Sequence, residues 1–302
     1  MLLLFSGSYD GTADKLVLSY GQDVFRFNYD LWRDYDLSFT KDGWVIRNPA
    51  GLEITSETVS AAYWWKAFSF FTQDDKFVQA EVKYTLRDIY GWCQAQGLAK
   101  GNSIDFHNRL GKITILGLAK EYFSVPETLV TFRKFGASRF DNAQVVAKSL
   151  ASELSDSKGA LMTTQVDIEQ IDPAFPWYLQ SKIDSAWDVT VFYCDRQSFP
   201  FRRSRVGLTG LDWRADQNLE MLVEEWEPMA LGDSFANKIR SLSNKLGVEF
   251  GRYDFMTVGD TDDLVFLEFN ANGQWVFLDP FDKHGLLDCV TNWLRSPSEK
   301  PS

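Results

Sequence analysis

The sequence predicts an α/β (α+β) fold, in which short strands and helices alternate along the whole chain. Three observations carry this prediction: the apolar run 1–5, the Asp42-Gly43 pair between two alternating runs, and helical periodicity over 74–97 and 233–246. A short apolar run is typical of a buried strand, and Asp-Gly between alternating runs favours a hairpin. Because strands and helices are interleaved rather than segregated, α/β or α+β is the expected class.

The composition is that of a globular protein without a nucleic-acid partner. The chain has 302 residues, of which 45% are hydrophobic, which is enough for two or three subdomains with a sizeable core. Its formal net charge is −11, and no run of Lys and Arg is longer than the pair Arg202-Arg203. Proteins that follow a phosphate backbone need a basic face, so nucleic-acid binding is not expected. The many Phe, Trp and Tyr side chains suit either core packing or aromatic walls around a ligand.

Cysteine usage and the N-terminus indicate a cytoplasmic protein. The three cysteines, Cys93, Cys194 and Cys289, are odd in number and show no CxxC spacing, which argues against a disulfide framework or a thiolate zinc site. The N-terminal apolar run is too short for a signal peptide or a membrane span. With only His107 and His284 available, catalytic triads and histidine-rich metal sites are poorly supported.

The individual elements follow from periodicity and from cap and turn residues. Thr12 is the expected N-cap of the first helix, and Asp233 caps the helix that Gly247 ends. In chain order we expect the following elements: a strand at the N-terminus, helix 12–21, strand 23–30, a hairpin around Asp42-Gly43, helices 74–97 and 109–122, strand 125–132, helix 139–155, strands 160–166, 177–183, 187–194 and 205–213, helix 233–246, hairpin 250–270 and helix 284–295.

The most informative segment is 250–275, FGRYDFMTVGDTDDLVFLEFNANGQW. If its two alternating runs pair antiparallel about Thr261, Asp254 lies opposite Glu268, and Asn270 shares a face with Glu268. Adjacent buried carboxylates repel one another, and a hard cation such as Mg²⁺ relieves that cost. The alternative is a solvated polar edge of a surface hairpin, although the other residues of the hairpin are strongly apolar.

This segment resembles the C-terminal metal-binding segment of the ATP-grasp superfamily, and in detail that of the microviridin-type (graspetide) peptide ligases. The resemblance implies an ATP-grasp fold with a pre-grasp domain over 1–105, a small central lobe over 106–185 and a C-terminal lobe over 186–302. It also implies that Asp254, Glu268 and Asn270 bind Mg²⁺.

The resemblance extends along most of the chain and implies further roles. GKITILGLAKEYFSVPETLVTF is similar to the family's lysine-led helix and following strand, and VVAKSL is similar to its second lysine strand. By that likeness Lys112 and Lys148 would contact ATP phosphates, with Lys148 also near the adenine. In WYLQSKIDSAWDVTVF, backbone groups from Gln180 to Ile183 would meet the adenine and Asp188 the ribose.

Two further positions complete the comparison with the family. Thr190 stands where many relatives have Arg, which leaves a catalytic role at that position in doubt. In LDWRAD, which is similar to the family's DWR segment, Arg214 would face the γ-phosphate or the developing acyl phosphate.

The function implied by this resemblance is ATP- and Mg²⁺-dependent ligation through an acyl phosphate. The expected product is an ω-ester or ω-amide crosslink in a ribosomally made precursor peptide, which would be the partner. Homodimers are common in the family, so a homodimer is also an expectation. Two alternatives stay open: a ligase that adds an amino acid to a small molecule or a protein C-terminus, as in the glutathione-forming and ribosomal-protein-glutamylating branches, and a non-catalytic ATP-binding module.

Overall fold

A computed structural model describes residues 1–66, 75–102, 104–140, 144–150, 163–208, 211 and 226–297. The chain forms two compact units, the first from Met1–Ile104 with Asn272–Ser302 and the second from Asp105–Ala271. The division into three domains stays a prediction. No helix among the described residues is long and apolar enough to cross a bilayer.

The secondary structure consists of short strands and helices in alternation, as the sequence predicts. Up to residue 104 the elements are β1 (Leu2–Ser6), α1 (Gly11–Tyr20), β2 (Val24–Asn28), β3 (Asp36–Thr40), β4 (Gly43–Arg47), β5 (Glu53–Thr55), β6 (Ala61–Trp64), α2 (Lys76–Ala95) and β7 (Ala99–Lys100). The others are α3 (Phe106–Arg109), α4 (Lys112–Ala119), β8 (Thr128–Thr131), β9 (Val145–Lys148), β10 (Thr164–Gln165), β11 (Trp177–Ser181), β12 (Trp187–Cys194), β13 (Gln197–Ser204), β14 (Glu227–Pro228), α5 (Asp233–Leu246), β15 (Phe250–Thr257), β16 (Leu264–Asn270) and α6 (Leu286–Arg295).

The first unit is built on a parallel sheet of order β2-β1-β6-β7 and a second sheet of order β3-β4-β5. Every residue of β1 is buried, which confirms the N-terminal strand. Helix α1 begins one residue earlier than predicted, and its N-cap is Asp10, whose carboxylate accepts a hydrogen bond from the Ala13 amide at 2.9 Å. Thr12 lies inside the helix, buried, and donates instead to Gln274 at 2.6 Å.

The predicted hairpin at Asp42-Gly43 is confirmed, with a small shift of its turn. Thr40 pairs with Gly43, so the two loop residues are Lys41 and Asp42, and Gly43 already belongs to β4. A Cβ at Gly43 would lie 2.4 Å from the Ser56 hydroxyl, and its φ of +149° suits glycine. The positive φ and the close approach of Ser56 both favour glycine at this position.

Both interpretations of the aromatic content have a counterpart in the first unit. Its largest fully buried side chains include Trp65, Trp275 and Trp293, as core packing requires. A cavity of about 350 Å³ is also present, and it is lined by Phe27, Trp32, Tyr35, Leu37, Phe77, Val78, Glu81, Val82, Thr85 and Leu86.

The described residues of the second unit form two antiparallel sheets, of order β10-β9-β11-β8 and β14-β13-β12-β15-β16. The helix predicted over 139–155 is wrong where Val145–Lys148 form β9, because β9 pairs with both β10 and β11. Its buried valines favour a strand once such partners exist. The helix predicted over 109–122 is split, since α3 ends at Arg109 and Gly111 is the N-cap of α4.

The strand predicted over 205–213 is displaced. The eight residues before it, Gln197–Ser204, form β13, whereas the described residues 205–208 lie outside any strand. The arginines and Pro200 in this segment interrupt the alternation of apolar and polar residues that predicts a strand. The segment nevertheless pairs along its full length with β12. Helix α5 has the predicted bounds and ends at Gly247 with φ +67°, although its N-cap is Gly232 and Asp233 is its first residue.

The larger hydrophobic cluster of the second unit lies on one face of the five-stranded sheet. Alternate residues of the central strands point towards α4 and α5, as Val189, Val191, Tyr253 and Phe255 do. Because side chains alternate across a strand, the intervening residues of the same strands occupy the opposite face. That face carries the polar residues of the candidate site.

Gly251 on β15 gives the first test of this packing. A Cβ at this position would lie 2.3 Å from the Phe269 ring and 3.0 Å from the Asn270 carbonyl oxygen, and its φ is +152°. Because the ring sits in a packed core, Gly251→Ala is expected to lower the free energy of unfolding by about 1–3 kcal/mol. Urea denaturation measures this loss.

Gly117→Ala is the matched control for that substitution. Gly117 lies within α4 of the same unit, and nothing stands within 4 Å of a Cβ there. This change should raise the free energy of unfolding by about 0.5–1 kcal/mol, because alanine favours the helix. Equal effects of the two changes would contradict the close contact between Gly251 and Phe269.

Candidate active site

The candidate site lies on the polar face of the five-stranded sheet, where β12, β15 and β16 run side by side. Asp254 pairs with Glu268 across β15 and β16, as the register centred on Thr261 predicts. On the other side, Asp254 pairs with Thr190 of β12. Pairing partners in antiparallel strands share a face, so these three side chains lie together.

A β-bulge interrupts the β15–β16 ladder immediately after this pair. Asp254 faces Glu268, whereas Phe255 faces Phe266, so Leu267 is the extra residue of β16. The extra residue allows Phe266 to face the core although Glu268, two positions later, faces the site. The sequence prediction did not include this bulge.

The predicted trio is close enough to share hydrogen bonds. The Asn270 side-chain amide donates to Asp254 Oδ2 at 2.7 Å, and it lies 3.4 Å from Glu268 Oε1. The Thr190 hydroxyl donates to Asp254 Oδ1 at 2.7 Å. Thr190 therefore has a defined partner in the site.

Arg252 is a residue of the site that sequence reasoning missed. Its Nε atom donates to Asp254 Oδ1 at 3.0 Å and its Nη2 atom to Asp254 Oδ2 at 3.2 Å. The two-residue spacing in the sequence indicates this position, because Arg252 precedes Asp254 by two residues on an alternating strand and therefore shares its face. It also pairs across the ladder with Asn270.

Two lysines from different elements act on Glu268. Lys112, the first residue of α4, has its Nζ 3.8 Å from Glu268 Oε2 and donates to the Ser149 carbonyl at 2.8 Å. Lys148, at the end of β9, has its Nζ 3.4 Å from Gln180 Oε1. Both lysines attract the Glu268 carboxylate electrostatically. The structure thus brings both predicted lysines to the predicted metal ligand.

The balance of charges keeps Glu268 ionised. Burial acts to raise the pKa of Glu268, but the nearby lysine ammonium groups outweigh this effect. The Asn270 hydrogen bond and the Arg252 guanidinium act in the same direction as the lysines, so the pKa of Glu268 is lower than usual. On neighbouring Tyr178, burial and the Glu268 charge both raise the pKa of the phenol.

Gln180, Ile183 and Arg214, which the sequence predicts to bind ATP, do not share one environment. Gln180 is buried in β11, which pairs with β8 and β9, and its side-chain amide donates to Thr128 Oγ1 at 3.1 Å. Ile183 is half-buried in the segment between β11 and β12. Arg214 lies outside the described residues.

Asp188 occupies the same sheet face as Thr190, two residues earlier on β12, and is held by an ion pair. The Nη1 atom of Arg205 donates to both Asp188 oxygens, at 2.7 and 2.9 Å. Burial raises the pKa of Asp188, and the guanidinium groups of Arg205 and Arg203 offset only part of that rise. Asp188 therefore has a structural role in this ion pair, and its contact with ribose stays a prediction.

Among the described residues, no group of three or more His, Cys, Asp or Glu side chains is arranged to hold a metal ion. The candidate site consists of two carboxylates and an amide. All three offer oxygen donors of the kind that Mg²⁺ prefers.

The fold is that of the ATP-grasp ligases. A RiPP-associated ATP-grasp ligase from Chryseobacterium gregarium, solved with ADP and a leader and core peptide, matches with a TM-score of 0.81 and 21% identity over 98% of this chain and 97% of the other. The macrocyclase MdnC of Microcystis aeruginosa, bound with precursor peptide MdnA, gives 0.78 and 18% over 98% and 99%. MdnB from the same organism gives 0.75 and 21% over 97% and 98%.

These solved structures are ligases and macrocyclases of peptide maturation, so the chain has the same fold as the family that its sequence resembles. The identities, 15–21% among these and similar solved structures, make this a statement about the fold. No protein-family model matches the sequence, and no curated protein sequence matches it either.

Proposed function

We propose that this chain is an ATP- and Mg²⁺-dependent ligase that activates a carboxylate of a ribosomally made peptide and joins it to a hydroxyl or an amine. The observation that carries the proposal is the cluster of Asp254, Glu268 and Asn270 with Lys112 and Lys148 beside it. Structures of the same fold contain ADP and precursor peptides, which supports a nucleotide and a peptide as the ligands here.

The trio fits a magnesium ion by its chemistry. Asp254 and Glu268 offer carboxylate oxygens and Asn270 an amide oxygen, all on one sheet face and within hydrogen-bond reach of one another. The lowered pKa of Glu268 favours the ionised form that a metal requires. When bound, Mg²⁺ would neutralise phosphate oxygens and so favour attack at phosphorus.

The lysines would bind the phosphate groups of ATP. Lys112 and Lys148 come from the helix and the sheet that precede β12, and both act electrostatically on Glu268. Phosphoryl transfer spreads negative charge over the transferred group, and fixed cations stabilise that charge. Gln180 and Ile183 would bind the adenine, Asp188 the ribose, and Arg214 the γ-phosphate side; these assignments rest on the sequence resemblance.

The proposed reaction has two steps. An oxygen of the substrate carboxylate attacks the γ-phosphorus of ATP, the bond to the β-phosphate oxygen breaks, and an acyl phosphate and ADP result. A hydroxyl or amine then attacks the acyl carbon, inorganic phosphate leaves, and the nucleophile loses its proton. No protein nucleophile is needed, so the residues of the site have to bind, orient and neutralise charge.

Mass spectrometry of a peptide encoded beside this gene tests the proposal. With enzyme, ATP and Mg²⁺, we expect the loss of one water for each bond formed, together with one ADP. The same peptide with its Asp and Glu residues replaced by Asn and Gln is the control, because it lacks the carboxylates to be activated.

Three other results would contradict the proposal. ADP formation with free amino acids and with no peptide would indicate a small-molecule ligase. ATP binding without ADP formation, for a range of carboxylates, would indicate a non-catalytic module. An enzyme that remains active after Mg²⁺ is removed with a chelator would contradict the metal requirement.

A further inference from the structure

Arg252 holds the carboxylate that the proposed metal needs. Its Nε and Nη2 atoms approach one oxygen of Asp254 each. Thr190 also donates to Oδ1, and Asn270 also donates to Oδ2. Each Asp254 oxygen therefore already accepts two hydrogen bonds. One of the two comes from the permanently charged guanidinium of Arg252.

We infer that Arg252 occupies Asp254 while the metal is absent and turns to the phosphate groups of ATP when Mg²⁺ binds. This inference rests on the proposed function, and it adds a role for a residue that the family resemblance does not assign. Arg252 would then couple the binding of the metal to the binding of the phosphates.

Charge is the first reason for this inference. The carboxylates of Asp254 and Glu268 face three cations, those of Lys112, Lys148 and Arg252. If Mg²⁺ bound Asp254 while Arg252 stayed in place, two cations would share one carboxylate. The side chains of Arg252 and Asp254 are 14% and 20% exposed, so solvent and salt screen this repulsion only in part. Movement of Arg252 towards an incoming anion relieves the repulsion.

Geometry is the second reason. A guanidinium presents planar paired donors that suit a phosphate as well as a carboxylate, so Arg252 can exchange one partner for the other. Thr190 and Asn270 come from the strands on either side of β15, and both also bind Asp254. They can keep the carboxylate oriented after Arg252 has left it. The exchange therefore leaves Asp254 supported.

Manganese binding without nucleotide tests the inference, because Mn²⁺ replaces Mg²⁺ at oxygen sites and is visible by electron paramagnetic resonance. In Arg252→Met the competing cation is gone, so we expect Mn²⁺ to bind about tenfold more tightly than in the wild type. ADP formation should fall by about 10²–10³-fold, because a cation at the phosphates has been lost. Arg252→Lys should lie between the two proteins in both measurements.

Arg202→Met is the matched control. Arg202 forms an ion pair with Glu227 at 2.7 Å in the same sheet, and both side chains are exposed. The same substitution there should change neither Mn²⁺ affinity nor ADP formation. The opposite signs expected for Arg252→Met, tighter metal binding and slower turnover, separate this role from simple structural damage, which weakens both.

Unchanged or weaker Mn²⁺ binding in folded Arg252→Met would overturn the inference, and so would unchanged turnover. If the methionine variant does not fold, Arg252→Gln replaces it, since glutamine removes the charge and keeps polar donors. Unchanged or weaker Mn²⁺ binding, or unchanged turnover, of that variant would likewise overturn the inference. If the wild type forms no ADP, the proposed function fails, whereas the Mn²⁺ measurement still decides whether Arg252 competes with a metal at Asp254.

Discussion

Glu268→Gln is expected to slow ADP formation by about 10²–10³-fold without unfolding the protein. Glutamine keeps the size of the side chain and removes the charge that attracts Lys112 and Lys148. The loss reflects a weaker metal site, because a neutral amide oxygen binds Mg²⁺ less well than a carboxylate. Steady-state kinetics over a range of Mg²⁺ concentrations should show the largest defect at low Mg²⁺.

A thermal denaturation series gives a second readout for the same variant. The pKa of Glu268 is lower in the folded protein than its ordinary value, so its ionised form stabilises the fold at pH above the ordinary pKa. This contribution is lost as pH falls through the lowered pKa. The variant should therefore melt below the wild type at neutral pH, and the difference should shrink in acid.

Asp262→Asn is the control for Glu268→Gln. Asp262 is exposed in the turn between β15 and β16, so the same loss of charge occurs in the same hairpin but away from the site. We expect wild-type turnover from this variant. Turnover of Glu268→Gln within a few-fold of the wild type would remove Glu268 from the proposed metal site.

Arg205→Met should give a large loss of stability, about 3 kcal/mol in the free energy of unfolding. The side chains of Arg205 and Asp188 are 13% and 12% exposed, and the substitution leaves a buried carboxylate without its main partner. Adding Asp188→Asn to this variant should restore part of the loss, because the uncompensated charge disappears. Urea denaturation of the wild type, both single variants and the double variant measures the coupling.

The exposed pair of Arg202 with Glu227 again serves as the control, and its loss should cost less than about 1 kcal/mol. Strictly additive losses in the cycle would contradict a direct pair between Asp188 and Arg205. The KM for ATP of Asp188→Asn, measured in parallel, separates the two roles of Asp188. An unchanged KM would leave the ion pair as its role and exclude the predicted ribose contact.

The hairpin 250–270 could be predicted because alternation and a polar turn specify its register locally. Asp254 and Glu268 therefore pair as expected, and Asn270 joins them. The shift at Leu267 could not be predicted, because a bulge depends on how Phe266 packs against the helices beneath the sheet. The same alternation also predicts that Arg252 shares the face of Asp254. A charged residue in a strand is, however, usually expected to face solvent.

Other errors arise where distant partners decide the local structure. Val145–Lys148 form a strand because β10 and β11 flank them, and both partners lie further along the chain. Asp10 rather than Thr12 caps the first helix, because Thr12 instead contacts Gln274, far along the chain. Residue patterns report short-range preferences, whereas these choices depend on tertiary contacts.

Cys93, Cys194 and Cys289 are buried and form no disulfide, and burial raises the pKa of the Cys93 thiol to about 12. Buried, inaccessible thiols react slowly with maleimides. A single cysteine placed at Asp262 would therefore take up a fluorophore selectively in the native protein, without removal of the natural cysteines. Such a dye would sit in the exposed turn of the hairpin that carries the site, and ligand binding could be followed as an optical signal.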